Sequence, residues 1–307
     1  QCTVWCDLGQ GVENGPASHL FKTVIARNGQ TQRTAFFWRI GKGCTCRRQK
    51  CGSGTRGKQG TAIQVLNAET GELERPLFAD NKKYEINWVR WGNDQYVLMS
   101  AKFPAVRYGT PTTETRLLSL DLTTGKLRNI IPKRFYKRFD FMPQLQDSIV
   151  SILPSDEDHF LLELGGFATG GYTVYKAAID GSKLKTVQKS RKHVRDWRAD
   201  RQGRIRIGIF WEDTDYKIIH RGVDQKKWKT LWEFESFSEN QVWPIGFDQD
   251  PNTLYVKALH NGFSAIFTVD LDDPELKKTL VYSKEEYDVN ASLIYSSVAK
   301  KVIGITT

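Results

Sequence analysis

From about residue 61 onward, short apolar runs alternate with clusters of Asp, Asn, Gly and Ser. This is the pattern of β-strands joined by tight turns. One unit recurs, a strand that runs into a turn and out again. Its clearest copies are Ala62-Ile-Gln-Val-Leu-Asn-Ala-Glu-Thr-Gly-Glu-Leu73 and Leu117-Leu-Ser-Leu-Asp-Leu-Thr-Thr-Gly-Lys-Leu127. Looser copies run from Val174 to Leu184, from Ile218 to Trp228 and from Ala265 to Leu276. Asn67, Asp121, Asp180, Asp224 and Asp270 stand at the turn openings, 54, 59, 44 and 46 residues apart. A carboxylate or amide there can accept the backbone N–H two residues on and open the turn. Gly71 and Gly125 can supply a positive φ where the chain reverses. Leu66, Leu120, Ile179, Val223 and Val269, just before the polar residue, fit buried strand positions. The unit predicts a hairpin.

A second unit alternates with the first. It occurs at Ile86–Met99, Ile149–Leu162, Val194–Ile207, Val242–Val256 and Ala291–Ile305. Each copy is an apolar strand, an Asp/Gly/Asn-rich turn and a second apolar strand, which is another hairpin. Two hairpins per period of about 45 to 60 residues predict a four-stranded antiparallel blade. The expected fold class is therefore all-β, a β-propeller of four-stranded antiparallel blades. A sandwich would not repeat self-similar hairpin pairs at this period, and no 3.6-residue periodicity supports a helical solenoid. Four blades fall between residues 84 and 282, with half-blades on either side. About five blades, an incomplete ring and a chain cut within a blade at Thr307 are the expectation.

Residues 1–60 differ. They carry weak alternation and the patch Gly41-Lys-Gly-Cys-Thr-Cys-Arg-Arg-Gln-Lys-Cys51. The net charge of +10 divides unevenly, with +8 on residues 1–60 and +2 on residues 61–307. All five cysteines (Cys2, Cys6, Cys44, Cys46, Cys51) lie in the first part, so thiol chemistry contributes nothing to the second. The expected organisation is a basic, Cys-rich segment over 1–60, either disordered or a damaged or misread first blade, followed by propeller repeats over 61–307. No run of 18 apolar residues occurs, so no membrane-spanning helix is expected.

The repeats resemble the N-terminal, TolB-like propeller of the prolyl oligopeptidase family of serine peptidases. The residues that carry the resemblance are Trp88–Leu98, Arg116–Leu127, Val174–Leu184 and Tyr255–Asp270, and it covers residues 61–307. In that family a propeller caps an α/β-hydrolase domain and filters peptides by size, and the serine, acid and histidine lie in the hydrolase. The resemblance thus implies a non-catalytic gating domain whose partners are an α/β-hydrolase domain of the same parent chain and the peptides passing through. The parent would be a serine peptidase. No Gly-x-Ser-x-Gly elbow occurs in the sequence. Accordingly no catalytic residue is assigned, and no cofactor, metal or substrate-binding residue. Relatives are extracytoplasmic or cytosolic by subgroup, and the resemblance leans towards the periplasm or exterior. From another class, a free-standing TolB-like or WD-like platform that recruits proteins would show the same repeats.

Other features have plainer readings. Gly52-Ser-Gly-Thr-Arg-Gly57 matches a dinucleotide-binding glycine motif but lacks the strand–turn–helix setting, and reads as a loop. The cysteines lack the paired two-residue gaps of zinc sites, with only His19 nearby. Lys189–Arg206 holds eight Lys/Arg and reads as solvated charge on a connection and turn, as does Lys133–Arg138. A body charge of +2 argues against nucleic-acid binding. His159, His193, His220 and His260 share no register and read as surface or turn residues. Trp88, Trp91, Trp197, Trp211, Trp228, Trp232 and Trp243 recur near strands, as expected of inter-blade packing. Asn290-Ala-Ser292 is a glycosylation triplet.

Overall fold

The computed structural model describes residues 35–36, 42–47, 50–57, 60–67, 73–138, 142–166, 170–296 and 299–306. The chain divides into two compact units between Asn81 and Lys82.

The described residues of the first unit form a five-stranded antiparallel meander. Its strands are β1 (Ala35–Phe36), β2 (Lys42–Arg47), β3 (Lys50–Gly57), β4 (Gly60–Asn67) and β5 (Leu73–Ala79). The Cys/Arg/Lys-rich patch forms β2 and β3, with Cys46 opposite Cys51. β3 pairs with β4 as far as Gly57 opposite Gly60, so residue 60 lies within a hairpin. Alternation does not mark β2 and β3 as strands. Backbone pairing needs no apolar side chains once a neighbouring edge is present. β4 supplies buried apolar residues, Ile63 and Val65.

In the second unit four sheets of four strands follow one another, each in sequence order. They are β6 (Glu85–Trp91), β7 (Tyr96–Arg107), β8 (Thr110–Asp121) and β9 (Leu127–Asn129); then β10 (Ser148–Ile152), β11 (His159–Gly166), β12 (Gly171–Ala178) and β13 (Leu184–Gln188). The third set is β14 (Val194–Ala199), β15 (Ile205–Glu212), β16 (Asp215–His220) and β17 (Lys229–Glu235). The fourth is β18 (Val242–Phe247), β19 (Thr253–His260), β20 (Phe263–Asp270) and β21 (Lys278–Tyr282). A pair, β22 (Ser292–Ser296) and β23 (Lys301–Thr306), follows. β10 lies beside β14, β14 beside β18 and β18 beside β22. First strands of successive sheets are therefore neighbours on the inner side, which is the blade arrangement of a propeller.

Strand chemistry explains the stacking. On β11, Phe160, Leu162 and Leu164 join Leu98 and Leu117 of the preceding blade. Leu161, the next position round, joins Val194 and Trp197 of the following one. A strand buried on both faces reads as a continuous apolar run, as Phe160-Leu-Leu162 does here.

The two ends of each blade differ. Links between blades and the β11–β12-type hairpins share one rim, and the remaining turns share the other. The expected turn chemistry is present on that turn rim. Asp121 accepts the N–H of Thr123 at 2.9 Å, Asp180 that of Ser182 at 2.8 Å and Asp270 that of Asp272 at 2.9 Å. Gly125 has φ +68°. Asp224 differs: it is exposed before β17, and its turn is closed by Gln225 N–H to Gly222 O instead. On the linking rim, β7 and β8 pair over twelve residues each. β6 pairs with β7 only as far as Lys102, so Phe103–Arg107 and Thr110–Glu114 project as an arm.

Among the described residues no helix is long and apolar enough to cross a membrane.

Candidate functional site

The structure disperses most of the residues singled out from sequence. Gly52, Gly54 and Gly57 lie along β3, within a strand and not at a strand-to-helix turn. Cys44, Cys46 and Cys51 lie on β2 and β3, while Cys2, Cys6 and His19 fall outside the described residues. Asn290 and Ser292 are exposed at the start of β22. His159 faces Asp156, His193 stands 3.2 Å from Glu212, and His260 packs edge-on against Phe267. These histidines are not brought together.

Two readings are corrected. Arg206 and Asp200 are not solvated: Arg206 is 1% exposed and the Asp200 side chain 0%. Arg206 points inward from β15, where its Nε donates to Arg221 O at 2.6 Å and Nη1 reaches Asp200 Oδ2 at 3.4 Å. Asp200 also accepts from Arg204 Nε at 2.7 Å and from the backbone N–H of Gln202 and Arg204. His220 is likewise no surface residue; it is buried on β16, with Nε2 3.0 Å from Arg206 Nη2. Burial, then the Arg206 and Lys229 charges, push its pKa down to about 4. It is neutral at pH 7. Elsewhere in the basic run Lys189, Arg191 and Lys192 are exposed, as expected. Lys133–Arg138 is a 3-10 turn whose Phe135 is buried in the core.

The tryptophans behave largely as expected. Trp197 is fully buried, donates Nε1–H to Tyr172 O at 2.7 Å and meets Trp228 with ring centroids 5.2 Å apart. Gly208 on β15 makes room for it, since a Cβ there would lie 2.8 Å from Trp197 Cζ3. Trp211 departs from the pattern at 38% exposure, stacked on Tyr216.

A second polar cluster was not foreseen. Near the linking rim, β10, β11 and β14 bring Ser148, Glu163, Asp196 and Arg198 together. Glu163 is opposite Ser148, is 5% exposed, and accepts the Trp197 backbone N–H at 3.1 Å. Burial first, then the Asp196 charge, push its pKa up to about 8, so it is protonated at pH 7. Asp196 is held 2.7 Å from Arg198, and burial raises its pKa too. Close by, Asp147 accepts Ser100 Oγ at 2.6 Å and Thr115 Oγ1 at 2.5 Å. Ser100 is fully buried and its bonds are to Asp147 and Asn87. The cluster can hold polar groups by hydrogen bonds. Sequence could have flagged Glu163 only as a lone acid inside an apolar run.

The sequence matches no protein-family model and no curated protein. The fold does match solved structures. A prolyl endopeptidase, one of two studied for inter-domain dynamics in catalysis and specificity, superposes with TM-score 0.52 at 13% identity, over 86% of this chain and 38% of its own. Dipeptidyl peptidase 4 of Porphyromonas gingivalis superposes with TM-score 0.51 at 8% identity, over 84% of this chain and 41% of its own. A weaker likeness, TM-score 0.43 at 13% identity, is to a putative TolB from Agrobacterium tumefaciens, over 74% of this chain and 72% of that one. The four successive four-stranded antiparallel sheets and the likeness to these two peptidases make the fold a β-propeller. The chain spans about two fifths of the length of the two peptidases.

Proposed function

We propose that this chain is a non-catalytic propeller that gates peptide access to a serine-peptidase domain of the α/β-hydrolase class. The observation that carries this reading is the likeness of the blades to the propeller portions of two peptidases, over most of this chain and a minor part of theirs. The inner strands support it with a polar lining, Ser148, Asp196 and Arg198, suited to passing peptide groups without reacting with them. A hydrolase domain in the same parent chain would supply the nucleophile. In this reading the purified chain cleaves no peptide or ester and takes up no serine-directed fluorophosphonate. Labelling of the chain alone would overturn it. Reading the coding sequence beyond Thr307 separates the alternatives. An α/β-hydrolase with a serine elbow supports gating, whereas a stop codon or a binding module supports a protein-recruiting platform.

A further inference from the structure

On the seam between the β10–β13 and β14–β17 blades, Trp228 packs against the core around Trp197 and carries two arginines. The guanidinium carbon of Arg191 lies 5.8 Å from its ring centroid and that of Arg221 4.7 Å, each a cation–π contact. Both arginines start from fixed backbone. Just after β16, Arg221 donates its N–H to Arg206 O at 2.9 Å, accepts Arg206 Nε at its own carbonyl, and sends Nη2 to Ile205 O at 2.9 Å. Arg191 opens the turn before β14, which Val194 N–H closes onto Arg191 O at 3.0 Å. That carbonyl is pressed on β12, since a Cβ at Gly171 would lie 2.4 Å from it. Two positive charges thus converge on one ring.

Neither has a counter-ion among the described residues. Arg107, Arg116, Arg198, Arg204 and Arg206 each hold a carboxylate within 3.4 Å. Arg221 is half-buried, yet the oxygen it binds is the neutral carbonyl of Ile205. Burial, and then the Arg191 charge, lower its pKa, but a guanidinium keeps its proton all the same. No acid stands between Asp180 and Asp196, and only Asp224 between Tyr216 and Glu233. Asp224 is exposed, and Glu212 faces His193.

We propose that Arg191 and Arg221 form a binding site for a dianionic phosphoryl group, whose oxygens bridge the two guanidiniums beside Trp228. A partly buried charge without a counter-ion is costly, and so is the repulsion between the two arginines. A doubly charged oxyanion relieves both. The flat guanidinium fork matches phosphate oxygens and binds them by charge-assisted hydrogen bonds. A single carboxylate would neutralise only one of the pair. Lys189, Lys192 and Lys227, exposed and within two residues of Arg191 or Trp228 in the chain, add a positive field that draws an anion in. The site goes beyond the gating reading and does not rest on it.

The test is calorimetric titration of the purified chain with inorganic phosphate and with O-phospho-L-serine, beside acetate, in low-chloride buffer at about pH 8, where the phosphoryl group is doubly charged. Both phosphoryl probes should saturate with a dissociation constant on the order of 1 mM, and acetate should bind about tenfold more weakly. Whichever of the two binds more tightly tells a free phosphate from a phosphorylated molecule. Arg191→Ala, at an exposed position, should weaken phosphoserine about tenfold. Lys126→Ala removes the same charge from the exposed β8–β9 turn and should change binding less than about twofold. Absence of saturation by either probe at about 50 mM overturns the proposal. So does acetate binding as tightly as phosphate, or an equal loss in Arg191→Ala and Lys126→Ala, which would mean diffuse attraction to a basic surface.

Discussion

Two neighbouring seams, built from the same repeat, deal with a buried charge in opposite ways. Between the β10–β13 and β14–β17 blades, Leu161, Val174, Val194 and Trp197 pack around the carboxyl of Glu163, which stays neutral by keeping its proton. Between the β14–β17 and β18–β21 blades, Ile207, Phe234, Phe247 and Val256 pack with Trp243, and the charge is Arg206. That guanidinium stays ionised, held by Asp200, Arg221 O and, at 3.4 Å, Asn252 Oδ1. An arginine cannot shed its proton within the working range of a protein, whereas a carboxylic acid can. The difference teaches that the first seam keeps its buried group by holding a proton and the second by holding a partner.

The largest effect should come from breaking the paired seam. Asp200→Ala leaves Arg206 buried without its counter-ion, and should cost about 3–5 kcal/mol in urea denaturation. If Asp200→Ala unfolds like the parent, Arg206 does not depend on the pair.

The protonated seam gives the next effect. Glu163 has a folded pKa of about 8 against 4.5 unfolded. Its contribution is full below pH 4.5 and declines as pH rises towards 8, at up to about 1.4 kcal/mol per pH unit. His220, depressed from 6.5 to about 4, acts the other way, losing stability as pH falls through that range. The two oppose each other between pH 4.5 and 6.5, so the interval from 6.5 to 8 isolates Glu163. There, thermal unfolding should slope downward with pH in the parent and flatten in Glu163→Gln. An unchanged slope in that variant would place the titration elsewhere.

Smaller still, Gly208→Ala should cost about 1–3 kcal/mol in urea denaturation by crowding Trp197 and Ile219, and a loss under about 0.5 kcal/mol would show that the seam has room for the methyl. Least of all, Tyr108→Ser at the arm tip, where Tyr108 is 91% exposed, should change stability by under about 0.5 kcal/mol. A larger loss would mean that the arm is part of the folded core.

The hairpins and their Asp-opened turns were legible because each is local: Asp121, Asp180 and Asp270 act on backbone two residues away. Burial of Leu120, Ile179 and Val269 followed from position in the repeat. Glu163, Arg206 and His220 were not legible, because their surroundings come from strands far along the chain. Trp197 is 34 residues from Glu163, and Asn252 is 46 from Arg206. A basic run looks solvated until the fold turns alternate members inward. β2 and β3 escaped notice for a related reason, since their pairing rests on a neighbouring edge rather than on their own apolar pattern.

Among the described residues every sheet is made of strands consecutive in sequence. Backbone pairing within each sheet therefore closes only short loops, and their closure entropy is small. During synthesis each blade can form as soon as its last strand leaves the ribosome, and can serve as the template on which the next one assembles.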